Sequence, residues 1–200
     1  DDIFRLKKHL TKPLNLEMAA TAEMAGIALT HLPHACCLVP ERRAELTTEG
    51  GLNVVGQKDY LREYVAQLRS GGIRVSLFID PDAEQISAAR EIGSDVVELH
   101  TGCYCDAALS ANNNAYRTEL QRLVEGARLA GDIGLEVHAG HGLTFDTVGP
   151  VAEIPEITEL NIGHFLVGEA IFSGLHSSVQ HMKMLMDQAR QQLASAHQSS

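Results

Sequence analysis

Six short apolar runs, each closing on a polar side chain and each separated from the next by a helix-like stretch, constrain this chain more than anything else in it. They are Leu14-Asn15-Leu16-Glu17, Cys36-Cys37-Leu38-Val39-Pro40-Glu41, Val75-Ser76-Leu77-Phe78-Ile79-Asp80, Val96-Val97-Glu98-Leu99-His100-Thr101, Leu135-Glu136-Val137-His138-Ala139-Gly140-His141 and Leu160-Asn161-Ile162-Gly163-His164. Strands that alternate with helices pair in parallel through right-handed crossovers. In a (β/α)8 barrel the carboxyl ends of such strands converge on one mouth, where the active site lies. The pattern predicts an α/β chain of TIM-barrel type, with its polar residues gathered at that mouth.

Six units are legible, whereas a closed barrel of this kind has eight and runs to about 250 residues. The opening helix, around Arg5–Leu10, has no strand before it. The expectation is a single partial TIM-barrel domain over residues 1–200, with its first two strand units missing and residues 191–200 as a frayed tail. A six-stranded open doubly wound sheet is the alternative, and it would bind ligand at a switch point in the strand order.

Helical spacing marks Thr21–Leu32, Gln57–Ser70, a stretch ending at Ile92, Ala115–Ala130, Val148–Ile154, Phe165–Phe172 and Leu175–Ala194. The buried stripe expected of Gln57–Ser70 is Tyr60, Leu61, Tyr64, Val65 and Leu68. The last strand is expected over Glu159–Gly163. Ala107–Asn114 reads as a polar loop. Pro40–Val54 is a long loop, and long loops in compact domains are usually functional.

The formal net charge is −10 and no long basic run occurs, which argues against a nucleic-acid partner. No apolar run approaches the roughly 20 residues needed to span a bilayer, and the first residues have no secretory core. The expected setting is the cytoplasm, away from membranes. A phosphorylated small molecule is still admitted, because backbone N–H groups at a helix start bind a dianion against an unfavourable overall field. Cys36, Cys37, Cys103 and Cys105 lack the C-x2-C spacing of a zinc or redox pair and read as small buried thiols.

Alternation along the strands decides which side chains share the lumen. Asn15 and Glu17 share one parity on the first strand, and Val96, Glu98 and His100 on the fourth. Glu136, His138 and Gly140 do so on the fifth, and Asn161 and Gly163 on the sixth. Crowded carboxylates shift one another's proton affinity, which separates acid from base roles. Glu17 is a candidate general base, the alternative being a structural salt bridge. Glu98 suits stabilising a cationic intermediate. His100 and His138 are divided evenly between site and structural roles. Gly140-His141-Gly142 displays a histidine at the rim between two residues that permit positive φ. Asn161-Ile162-Gly163-His164 runs into a short helix, where such barrels commonly bind phosphate. No H-E-x-x-H motif or histidine cluster implies a metal, and no Walker or dinucleotide loop stands in a fitting context.

These blocks, in order, resemble the pyridoxine 5′-phosphate synthase family of bacterial vitamin B6 synthesis. The resemblance also takes in Leu46-Thr47-Thr48-Glu49-Gly50-Gly51-Leu52 and Glu98-Leu99-His100-Thr101-Gly102, and covers nearly the whole chain. It implies a (β/α)8 barrel assembled as a homo-octamer. It also implies condensation of 3-amino-2-oxopropyl phosphate with 1-deoxy-D-xylulose 5-phosphate, releasing phosphate and water, with neither metal nor organic cofactor. By the same resemblance Glu17 is a proton acceptor, Glu98 a transition-state stabiliser and His141 the proton donor. Thr47 would contact the deoxyxylulose phosphate, and Gly142, Gly163 and His164 would hold the aminoketone phosphate. Two other readings are an isomerase- or decarboxylase-like barrel acting on one sugar phosphate, and an inactive barrel fragment.

Overall fold

The structure, a computed structural model, describes residues 2–47, 49–110 and 113–198. After α1 (Asp2–His9), strands and helices alternate. They are β1 (Asn15–Met18), α2 (Ala22–His31), β2 (Ala35–Leu38), α3 (Lys58–Ser70), β3 (Arg74–Ile79), α4 (Ala83–Glu91) and β4 (Val96–His100). Then follow α5 (Gly102–Leu109), α6 (Asn113–Asp132), β5 (Glu136–Gly140), α7 (Val148–Ala152), β6 (Ile157–Asn161), α8 (His164–Ser173) and α9 (Leu175–Gln198). Local chemistry sets several boundaries. Thr21 caps α2, its Oγ1 accepting from the Met24 N–H at 3.2 Å. That helix ends where Leu32 turns left-handed at φ 48°, one residue before Pro33.

The six strands lie in the order β1-β2-β3-β4-β5-β6, every neighbour parallel. Among the described residues the strand order has no switch point, so this is one wall of a singly wound barrel and not the doubly wound alternative. Register divides the strands as alternation requires. Met18, Leu38, Leu77, Val97, Val137 and Ile157 are aligned in register. All six belong to the core cluster, with Leu61, Leu68, Ile86 and Leu123 of the flanking helices. On the other face Phe78, Glu98, His138 and Glu159 are aligned, as are His100, Gly140 and Asn161 one layer above. Neighbouring strands lie about 4.8 Å apart, so side chains two strands away meet readily only across a concave face. They do meet: Glu98 of β4 reaches both Cys37 of β2 and Asn161 of β6, and Arg74 of β3 reaches Glu136 of β5.

Some expectations shift. Asn113 and Asn114 of the expected polar loop open α6, and its residues 107–109 belong to α5. Helix α5 is secured by tertiary packing of Tyr104, Cys105 and Ala107, and a short helix held in that way leaves a weak periodic signal. Strand β6 starts at Ile157, two residues before the expected Glu159. Tyr60 is 50% exposed and so leaves the buried stripe of α3; its hydroxyl donates to the Ala20 carbonyl. Helix α9 reaches Gln198, and the last two residues of the expected tail, 199 and 200, lie outside the described residues. So do Thr48 of the long loop and residues 111–112 of the expected polar loop.

Candidate active site at the strand ends

One cavity of about 960 Å³ opens at the carboxyl ends of the strands, and it gathers most of the expected residues. Glu17 enters from β1, Glu98 from β4, His141 and Gly142 from the turn after β5, and Gly163 and His164 from the start of α8. Thr47 is not in the cavity lining, although Leu46 and Gly50 on either side of it are. Its hydroxyl donates to Asp80 at the end of β3, and its N–H donates to the Gly51 carbonyl at 2.9 Å. The long loop is therefore a built wall. An isolated bridge pairs Leu46 with Leu52, the Leu52 N–H donates to the Phe78 carbonyl at 2.8 Å, and Leu52 and Val54 are buried.

Glu98 is 5% exposed. Its Oε2 accepts from Asn161 Nδ2 at 2.7 Å and from Cys37 Sγ at 3.6 Å. Burial pushes its carboxyl up to about 7, against the opposing bond from Asn161, and the charge of Glu17 adds to the rise. Space for the carboxylate comes from the missing side chain of Gly140. A Cβ there would lie 2.4 Å from Glu98 Oε1 and 2.7 Å from the Asn161 carbonyl oxygen. Gly140→Ala is expected to cost about 1–3 kcal/mol of stability and to displace Glu98, lowering turnover with it. Urea denaturation together with a rate assay measures both; a variant matching wild type in each would show that Glu98 is not held in this way.

His141 is a non-glycine residue at φ 78°, and Gly142 follows at φ 88°. A side chain in that conformation persists only where its surroundings impose it. Here Thr101, at the end of β4, does so: its Oγ1 lies 2.8 Å from the Gly140 carbonyl and 2.6 Å from that of His141. Burial, then the neighbouring charge of His100, lowers the proton affinity of His141 below the ordinary imidazole value. The cavity thus brings together a carboxyl whose proton affinity is raised by burial and an imidazole whose proton affinity is lowered by it.

The two histidines left undecided by sequence part company. His138 lies deeper, with Nε2 2.9 Å from Glu136 Oε1 and Nδ1 3.4 Å from Glu159 Oε1. Arg74 pairs with Glu136 at 2.8 Å, and none of these four lines the cavity. His138 thus lies between Glu136 and Glu159, away from the cavity lining. His100 instead lies beside His141, with ring centroids 5.0 Å apart. No side chain caps α8 at Gly163, and Ile162 to Phe165 line the cavity, so the uncapped start of α8 borders it.

Sequence reasoning set Asn161 in the lumen without a task, and it missed Cys37 and Thr101 as supports. The register was the signal available, since Asn161 sits one layer above the aligned pair Glu98 and His138. Outside the cavity, Glu49, Cys103 and Glu119 approach one another closely enough for a cation, but Arg122 already lies 2.9 Å from Glu49 and 2.8 Å from Glu119.

Comparison with known proteins adds to this geometry. Residues 1–188 match the family model described as pyridoxal phosphate biosynthesis protein PdxJ. The pyridoxine 5′-phosphate synthase of Jannaschia sp. (strain CCS1) is 56% identical over 189 residues, covering 94% of this chain and 76% of its own length. That of Rhodospirillum rubrum is 58% identical over 188 residues, covering 94% and 74%. Among solved structures, the tryptophan synthase A-subunit from Pyrococcus furiosus superposes with a TM-score of 0.58 at 14% identity, over 92% of this chain and 69% of that one. KGPDC from Streptococcus mutans gives 0.59 at 12% identity, over 92% and 76%. At such low identity the two structures speak for the barrel fold alone.

Proposed function

This chain belongs to the PdxJ family of pyridoxal phosphate biosynthesis proteins, and from that premise we propose that it is a pyridoxine 5′-phosphate synthase. It condenses 3-amino-2-oxopropyl phosphate with 1-deoxy-D-xylulose 5-phosphate, releasing phosphate and water as the pyridine ring closes. The observation that carries this reading is that Glu17, Glu98, His141 and the uncapped start of α8 all border one cavity of about 960 Å³. That is the upper part of the range for small-molecule sites, roughly 300–1,000 Å³, and suits two small phosphorylated reactants held together.

The amine must attack a ketone, water must leave, and a carbon acid must lose protons. Each step needs a placed acid or base of moderate strength. Glu17 acts as the proton acceptor. Glu98, titrating at about 7, stabilises the cationic imine and lends or takes a proton without a large penalty. His141 acts as the donor. Burial lowers its proton affinity, and two phosphate dianions bound nearby raise it. It becomes an acid when the reactants are present. Gly142, Gly163 and His164 hold the aminoketone phosphate, supported by the uncapped N–H groups of α8. Thr47 serves the deoxyxylulose phosphate by seating the loop wall, and a direct contact requires the loop to move inward.

None of these roles calls for a metal or an organic cofactor. Among the described residues no helix is long and apolar enough to cross a membrane. The working form is a homo-octamer in the cytoplasm. A buried assembly face is supported by α8, none of whose residues is buried and which exposes Val167, Ile171 and Phe172.

The reading is tested by supplying the reactants singly and together. Product should form only with both; turnover of either alone would favour a single-substrate barrel enzyme. His164→Ala is expected to raise the Michaelis constant for the aminoketone phosphate about tenfold or more, with a smaller effect on turnover, since a bond to a charged group is worth about 1.5–3 kcal/mol. An unchanged constant would place that phosphate elsewhere.

A further inference from the structure

Two buried titratable groups beside the cavity have no task in the scheme above. Asp80 closes β3 and is 1% exposed. Its Oδ1 accepts from the Gly51 N–H at 3.1 Å and its Oδ2 from the Thr47 hydroxyl, so it is the anchor of the loop wall. His100 closes β4 with its side chain 9% exposed, and its Nδ1 lies 3.5 Å from Asp80 Oδ1. That nitrogen is buried without a hydrogen bond. At 3.5 Å the pair is an electrostatic contact just short of one.

The His100 ring is fixed from several sides. Phe78 meets it edge-on at 4.9 Å, and His141 lies against it at 5.0 Å. The backbone is cleared to admit it: a Cβ on Gly102 would fall 2.7 Å from its Cε1 and 2.8 Å from its Nε2, and one on Gly50 would touch Cε1 at 3.5 Å. Thr47, Asp80, His100 and His141 thus form a continuous line from the loop wall to the cavity rim.

We propose that the Asp80–His100 pair is a positioning device for His141, holding its imidazole at the cavity rim and setting its readiness to carry a proton while the Thr47–Gly51 loop is seated. The carboxylate of Asp80 serves two masters. It anchors the loop through Thr47 and Gly51, and it offsets any charge on His100, which in turn bears on His141. Unseating the loop frees Asp80 and changes what His141 feels. The other titratable groups around His141 are Asp106 on α5, Glu17 on β1 and His164 at the start of α8. They come from elements separate from the loop. The proposal rests on the role given to His141 in the synthase reading.

The test compares His100→Gln and Asp80→Asn, neither of which lines the cavity. Both are expected to lower turnover about tenfold while leaving the Michaelis constant for the aminoketone phosphate within about twofold. The signature lies in the pH profile. Removing His100 takes away the Coulomb effect by which its ring lowers the proton affinity of His141 and moves the limb belonging to His141 upward; removing the Asp80 charge moves it downward. Each shift should be about half a pH unit. Turnover losses without opposite shifts, or an unmoved profile in both variants, would make the pair merely structural and overturn the proposal. The same shifts are read without turnover from the imidazole C–H resonance of His141 in an NMR titration. Absence of product from the wild-type chain would therefore sink the synthase reading, and the titration would still decide this one. If Asp80→Asn fails to fold, His100→Gln decides it alone, an upward shift supporting the pair and no shift rejecting it.

Discussion

Replacing Glu17 by glutamine is expected to lower turnover by about 10²–10⁴-fold, the usual worth of a positioned general base. The change is nearly isosteric and removes only the ability to take a proton. Glu17 stands at the mouth end of β1, on the lumen parity fixed by its pairing with Cys37, and it lines the cavity shared with Glu98 and His141. Its role is chemical and not adhesive, so the Michaelis constants should change little while turnover collapses. A near-wild-type rate would remove it from the mechanism. Equal losses in binding and turnover would recast it as a substrate contact.

Glu98→Gln should abolish most turnover and at the same time stabilise the fold above neutrality. Burial holds the Glu98 carboxyl at about 7 in the folded chain against an ordinary value of 4.5. Between those two values the folded state binds more protons than the unfolded one. The stability owed to the neutral carboxyl is therefore fully present below pH 4.5 and is lost as pH rises through 7. A shift of that size corresponds to about 3 kcal/mol. Glutamine keeps the acceptor for Asn161 and cannot ionise, so the variant escapes the loss. Urea midpoints at pH 5 and pH 8 for both proteins give a difference of differences in which the other titrating groups cancel. The expected result is a gain of about 3 kcal/mol at pH 8 that largely disappears at pH 5. An equal effect at both values would mean that Glu98 is ionised throughout, and its part in the chemistry would have to be redrawn. Sites that sacrifice stability for reactivity behave in this way.

How much of this was legible depends on where each signal lives. Strand parity is a local property, and it placed Glu17, Glu98, Gly140 and Asn161 in one lumen before any contact was known. Gly140-His141-Gly142 was readable because turn chemistry has few solutions, although the strained residue proved to be His141 itself as well as Gly142. What local reading missed depends on contacts distant in sequence. The α5 helix is set by the burial of Tyr104, whose hydroxyl donates to the Thr147 carbonyl 43 residues away. The separate fates of His100 and His138 could not be told apart on their strands. Arg74, which pairs with Glu136 beside His138, and Glu159 come from other strands, and Asp80, which faces His100, follows another strand. The Thr47 hydroxyl is turned onto Asp80, a pairing across 33 residues that no spacing rule anticipates.

A crystal structure of the chain bound to 3-amino-2-oxopropyl phosphate tests the shared cavity most directly. The account predicts the phosphate against the first-turn N–H groups of α8 beside Gly163 and His164, with the reacting carbon within reach of Glu98 and His141. Phosphate density seated away from the strand ends, with Glu17, Glu98 and His141 contacting no part of the ligand, would contradict it.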